Sequence, residues 1–157
     1  MPLFKQHTPH QVSDFGLCKT LKKARQDHVS YQMTGNTGTR RYMAPEVVLS
    51  DPNYNEKVDI YSMAMNFWYI FKGQRPFDST DPRLIATLAS TRGLRPDAQA
   101  IGWVPLEGLV EQMWSHDREL RPSSPEILRR LIEMNPNPTV TQNGSIKCST
   151  TCQCAIM

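Results

Sequence analysis

The sequence predicts a mainly α-helical domain, and three stretches carry that prediction. From Val58 to Phe71 the chain is apolar nearly all round, the pattern of a helix buried on every side. Leu106, Leu109, Val110, Met113 and Trp114 recur at i, i+3, i+4, i+7 and i+8, one face of an amphipathic helix. Ser123-Ser124-Pro125-Glu126 has the residues of a capping box with proline in the first turn, opening a helix through Ile127, Leu128, Leu131 and Ile132. With 157 residues there is room for one domain plus tails, enough to bury roughly two-thirds of the unfolded surface.

Taken in order, Met1 to His10 holds two prolines and no periodicity, and reads as irregular. Residues 17 to 43 read as loop, rich in Thr, Ser, Gln and Gly, with a turn at Gly35-Asn36-Thr37-Gly38. Pro45 can open a helix because its missing N–H would be unpaired there anyway. That helix is expected from Glu46 to about Leu49, stopped by Ser50-Asp51-Pro52-Asn53. Within the apolar helix, Asp59, Ser62 and Asn66 fall on one face at i, i+3 and i+7, and each needs a polar partner if buried. Gly73 ends it. Asp81-Pro82 supplies an N-cap and a first-turn proline for a helix carrying Leu84, Ile85 and Leu88, which runs out before Gly93. Residues 93 to 105 form a loop, and Asn135-Pro136-Asn137-Pro138 ends the last helix ahead of a polar tail. The Met, Trp and aromatic residues on these helices are expected in the core.

The formal charge of +3 is too small to argue for nucleic acid. Much of it is local: Lys19, Lys22, Lys23, Arg25, Arg40 and Arg41 face only Asp27 between Gly16 and Ala44. A solvated loop and a phosphate- or acid-binding face both fit that pattern. Met1 to Ser13 has no apolar core of signal-peptide length, and Met63 to Phe71 is too short to span a bilayer. A cytoplasmic chain is expected, with its four cysteines reduced and Cys18 a small packing residue.

Asp14-Phe15-Gly16, a hydroxyl-rich loop, and then Gly38-Thr39-Arg40-Arg41-Tyr42-Met43-Ala44-Pro45-Glu46 resemble the activation segment of a protein kinase. Lys57-Val58-Asp59-Ile60-Tyr61-Ser62 resembles the start of the long buried helix of the kinase C-terminal lobe. Trp114, Asp117 and Arg121-Pro122 resemble its late signature. The wording of Gly35 to Met43 and of Arg121-Pro122-Ser123 is most similar to the tyrosine-kinase-like group of serine/threonine kinases. The resemblance implies a partial C-lobe over residues 12–134, led in by a strand at Gln11-Val12-Ser13. It is preceded by an irregular stub (1–11) and followed by a flexible tail (135–157), with N-lobe and catalytic loop absent. It makes Asp14 a Mg²⁺ ligand, Phe15 a packing switch and Thr39 the residue that orients the base. Gly16, Tyr42, Ala44 and Pro45 complete the segment, and Gly38-Thr39-x-x-Tyr42 resembles its serine/threonine form.

The resemblance further implies that Glu46 and Arg121 form a buried pair tying the segment to the late helices. Asp59 would bond the backbone of the catalytic loop, or else be an ordinary first-turn charge favourable to the helix dipole. Ser30, Tyr31, Thr34 and Thr37 are candidate phosphosites, where a phosphate would add about −1.5 to −2 charge beside Arg40 and Arg41. Unmodified hydroxyls are the alternative for each.

Phosphoryl transfer needs a loop over the phosphates, a Lys with its Glu partner, a base, and an Asn and an Asp on Mg²⁺. The sequence supplies Asp14 alone, since residues 1–13 contain no Asp, Glu or Asn. The chain is therefore not expected to be catalytic as it stands, nor to bind ATP and Mg²⁺ tightly by itself; both belong to a complete kinase. Its expected partners are protein substrates or other kinases, not nucleic acid. Cys154-Ala155-Ile156-Met157 matches a C-a-a-X end of farnesyl type. One lipid gives only marginal membrane binding, and Cys148 and Cys152 could add palmitoyl groups. A chance ending, or a metal-binding cysteine cluster short of a fourth ligand, also fits. The leading expectation is a partial serine/threonine kinase domain. The alternatives are a non-catalytic, membrane-tethered binding module and a remnant that barely folds.

Overall fold

The computed structural model describes Gly16, Cys18 and residues 31–32, 38–134, 138–140 and 146–148. Helix α1 spans Pro45–Val48, α2 Lys57–Lys72, α3 Pro82–Thr91, α4 Val104–Met113 and α5 Ser124–Met134. Single 3₁₀ turns at Arg40–Tyr42, Ala98–Ile101 and Arg118–Leu120 join them, so the described residues are mostly helical.

Helix α2 is the central element. Its start is held by the Asn55 side chain, whose Oδ1 accepts from the Lys57 N–H at 3.1 Å. Its end is set by Gly73, whose φ of 70° lets its N–H turn back to the Tyr69 carbonyl at 2.8 Å. Ile60, Tyr61, Ala64, Met65 and Trp68 form the buried stripe, packed against α4 and the 98–101 turn. Trp68 keeps its indole N–H satisfied by donating to the Asp97 carbonyl at 2.7 Å.

The all-round burial expected of α2 is not what the structure shows. Met63, Tyr69, Ile70 and Phe71 are exposed, with Ile70 at 48%. Apolar sequence all round a helix reports what the helix tolerates, whereas burial needs a neighbour, and the described residues cover one side only. Phe71 finds partial cover against Trp103, ring centroids 6.0 Å apart and planes tilted by 39°.

In α3, Asp81 Oδ1 accepts from the Arg83 N–H at 2.9 Å, and Ile85, Ala86 and Ala89 are buried while Leu84 is exposed. Helix α4 begins two residues before its apolar repeat and buries Leu106, Leu109, Val110 and Met113. In α5 the capping box forms only in part. Ser123 Oγ accepts from the Glu126 N–H at 3.4 Å, but the Glu126 carboxylate pairs with Arg129 and Arg130. Ile127 is buried there, and Leu128 and Ile132 are exposed.

Two strand pairs lie where the sequence predicts loop and tail. Strands β1 (Tyr31–Gln32) and β2 (Asn53–Tyr54) pair antiparallel, Tyr31 opposite Tyr54. Strands β3 (Pro138–Val140) and β4 (Ile146–Cys148) pair with Val140 opposite Ile146. Cys18 is exposed, which corrects the packing role expected of it: a small thiol contributes to packing only where neighbours exclude water from it.

Candidate functional site

The site is the stretch from Gly38 to Asp51 and the residues that fasten it. Thr39 is exposed, and its carbonyl accepts from the Tyr42 N–H at 2.9 Å, closing the 40–42 turn. The Arg41 guanidinium donates to the Pro76 carbonyl, which joins this turn to the loop after α2. Ser62 Oγ lies 2.9 Å from the Tyr42 carbonyl and 3.2 Å from that of Val58, its one proton serving either. Met43, Ala44 and Val47 then enter the same buried cluster as Ile60, Met65 and Met113.

Pro45 occupies the first position of α1, and the helix closes in a Schellman arrangement. The Asp51 N–H reaches the Glu46 carbonyl at 3.0 Å and the Ser50 N–H reaches that of Val47 at 3.2 Å. Ser50 holds the left-handed position this requires, with φ 56°. Beyond it, Arg118 donates to Asp51 Oδ2 at 3.3 Å and to the Asn53 carbonyl at 2.7 Å.

The structure brings Glu46 and Arg121 together across 75 residues of sequence. Arg121 Nη1 lies 2.6 Å from Glu46 Oε1, and Nη2 lies 2.9 Å from Oε2, a two-pronged contact. Arg121 is 1% exposed and Glu46 9%. A charge pair this deep survives only if its remaining donors are met. They are: Arg121 Nε donates to the Ser115 carbonyl at 2.9 Å and Nη1 also to that of Lys57 at 3.0 Å. The Lys57 ammonium in turn donates to the Arg121 carbonyl.

Tyr61 has two guanidiniums close to its ring. Arg121 Cζ is 5.2 Å from its ring centroid and Arg95 Cζ 4.9 Å, both within cation–π range. Burial pushes the Tyr61 phenol above its ordinary value, with the two arginines pulling the other way. Burial likewise lowers Arg95. Asp59 is in the first turn of α2 and exposed. Its carboxyl is nonetheless raised above the usual carboxylate range, by partial desolvation first and by the Glu56 charge second.

Asp14, Phe15, Ser30, Thr34, Thr37, Cys152 and Cys154 lie outside the described residues, as do the residues expected to form the strand at 11–13. Gly16 is exposed in a turn, Tyr31 is in β1 and Cys148 in β4. Among the described residues no group of three His, Cys, Asp or Glu could hold a metal, and no helix is long and apolar enough to cross a membrane. Sequence reasoning missed Tyr61 and Arg95 as a pair, and Ser62, Lys57 and Arg118 as fasteners of the segment. Tyr61 reads as one more apolar helix position, and Arg95 sits in an aperiodic loop, so neither carries a local signal.

The protein kinase domain family matches residues 3–143. The chain is 41% identical over 122 residues to serine/threonine-protein kinase VIK of Arabidopsis thaliana, covering 77% of this chain and 27% of that protein. It is 34% identical over 132 residues to serine/threonine-protein kinase STY17 of the same plant, covering 84% and 22%. It is 28% identical over 151 residues to serine/threonine-protein kinase TNNI3K of Mus musculus, covering 92% and 18%. The chain thus spans roughly a quarter or less of the length of these relatives.

Proposed function

Because the chain belongs to the protein kinase family, we propose that residues 12–134 are the activation segment and C-terminal-lobe helices of a serine/threonine kinase. In the assembled enzyme they position the protein substrate. The observation that carries this reading is the buried Glu46–Arg121 pair, which fixes the stretch from Thr39 to Asp51 against the helical core while leaving Thr39 and Arg40 open to solvent.

In this reading ATP with Mg²⁺ supplies the phosphoryl group, and Asp14 is its metal ligand, with Phe15 setting the arrangement of the turn. What the described residues contribute in this reading is position. Thr39 orients the base supplied by the complete domain, and Tyr42 and Ala44-Pro45-Glu46 fix the wall beside it. A phosphate on Ser30, Tyr31, Thr34 or Thr37 would order the segment through Arg40. The 157-residue chain alone is inactive, because catalysis here is positioning plus electrostatics and the base is not among its residues.

The test is phosphate transfer from labelled ATP to a mixed protein substrate. The purified chain should transfer none. The chain fused behind the missing parts of a relative's kinase domain should label Ser and Thr, and Asp14→Asn should abolish that labelling. Transfer by the chain alone, or none by the fusion, overturns the reading.

A second reading is a non-catalytic lobe that binds kinase partners, and the exposed apolar side of α2 at Met63, Tyr69, Ile70 and Phe71 favours it. A membrane tether through Cys154, aided by Cys148 and Cys152, applies where Met157 is the last residue in the cell. Cys154→Ser should then move the protein out of the membrane fraction, and an unmodified intact mass would discard the tether.

A further inference from the structure

We infer that Arg95 is a positioning residue for the stretch from Tyr42 to Asp51, although its hydrogen bonds all go to Ala89, Leu94 and Trp114, and that it acts through the face of Tyr61. The inference goes beyond the kinase reading, since its readout is the local opening of this stretch and not phosphate transfer.

Two guanidiniums lie within cation–π range of one buried ring. Tyr61 is 1% exposed, with Arg95 over its ring at 4.9 Å and Arg121 at 5.2 Å. Arg121 is the residue that grips Glu46 with both prongs. Arg95 is gripped by backbone on its own side: Nε donates to the Trp114 carbonyl at 2.8 Å, and Nη1 to those of Leu94 at 2.7 Å and Ala89 at 3.0 Å. The next carbonyl, that of Ser115, goes to Arg121 Nε at 2.9 Å. The two arginines thus divide adjacent carbonyls past the C-terminal end of α4, where the helix dipole favours cations. Arg95 also holds the last turn of α3 through Ala89.

Two like charges do not share a small buried space without compensation. Here the Glu46 carboxylate neutralises one, the carbonyls stabilise both, and the electron-rich ring attracts both. Losing Arg95 removes one of the two cations held against the Tyr61 ring, and Arg121 rests on that same ring. The tie from Arg121 to Glu46 therefore depends on a residue in the α3–α4 connection. Energy coupled in this way is reciprocal: whatever Arg95 does to the Glu46 end, Glu46 does to the Arg95 end.

The experiment is amide hydrogen exchange on the 157-residue chain. The readout is the backbone N–H groups of Val47 to Asp51, all hydrogen-bonded within the α1 end, with the amides of α5 as reference. Arg95→Met should speed exchange at 47–51 relative to α5 by about five- to thirty-fold, the range of a desolvated cation–π contact. The same acceleration should appear in the Tyr61→Phe chain, which keeps the ring, and should vanish in the Tyr61→Leu chain, which lacks it. Arg95→Lys, which keeps a cation, should restore most of the protection. Equal acceleration in all three backgrounds, or none in any, overturns the inference.

If Arg95→Met does not fold, the reciprocal arm decides. Glu46→Gln should speed the amides of Arg92 and Leu94, which bond the Leu88 carbonyl at 3.0 and 3.1 Å, and Tyr61→Leu should remove that effect. Unchanged exchange at Arg92 and Leu94 in Glu46→Gln overturns the inference as surely as the first arm.

Discussion

At the scale of single residues, Arg121 is the side chain with most to lose. Removing it strands the Glu46 carboxylate in a site 9% exposed and frees the carbonyls of Lys57 and Ser115. Arg121→Ala should cost ~3–5 kcal/mol in urea unfolding, a large share of what a domain this size has; an unchanged midpoint would contradict the buried pair as an anchor. Ser50 points the other way. It sits at φ 56°, where a side chain costs about 1–2 kcal/mol and glycine costs little. Ser50→Gly should raise stability by ~0.5–1 kcal/mol once the extra freedom of glycine in the unfolded chain is subtracted. Glu46 and Arg121 were legible in the sequence because each stands in a short motif. Arg95 was not, because its partners are carbonyls and a ring face, and neither leaves a pattern in the chain.

At the scale of the element, α2 separates what apolar sequence says from what burial does. Met65 and Ile70 look alike in sequence, yet Met65 is 0% exposed and Ile70 48%. Met65→Ala should cost ~2–5 kcal/mol by opening a cavity, while Ile70→Ala should stay within ~0.5 kcal/mol. Equal losses would mean that the exposed side is covered in solution. Helix ends were easier to read than faces: Gly73 and Asp81 each act through local backbone geometry that the residue itself dictates. The β1–β2 pairing was illegible because two-residue strands have no period to detect.

The same helix carries a pH signature. Asp59 is raised in the folded state, so folding favours its protonated form. Its contribution to stability is greatest below the ordinary aspartate range near pH 4 and is lost as pH climbs through the raised value. Asp59→Asn should therefore raise the melting midpoint at pH 7 and leave it unchanged near pH 3. A lower midpoint at pH 7 would mean that the helix dipole, not desolvation, governs this residue.

At the scale of the whole molecule, the question is whether the segment is part of the core or an attachment to it. Met43, Ala44 and Val47 belong to one buried cluster with Ile60 and Met65 of α2, Leu106 and Met113 of α4, and Ile127 of α5. Each fastening of the segment also ends on a different element: Ser62 on α2, Pro76 on the loop after it, and Arg121 just before α5. Melting the segment alone would have to break all of these and expose the shared apolar surface. That cost approaches the cost of unfolding the domain, so complete melting of the segment should accompany it, while openings confined to the α1 end, which leave Met43 and Ala44 buried, lie below it. Urea unfolding followed by the fluorescence of Trp68 and Trp114, both buried, and by exchange at the Met43 amide should give one coincident transition. An earlier transition at Met43 would make the segment a separately melting unit. Its position would then depend on a bound partner and not on the Glu46–Arg121 tie.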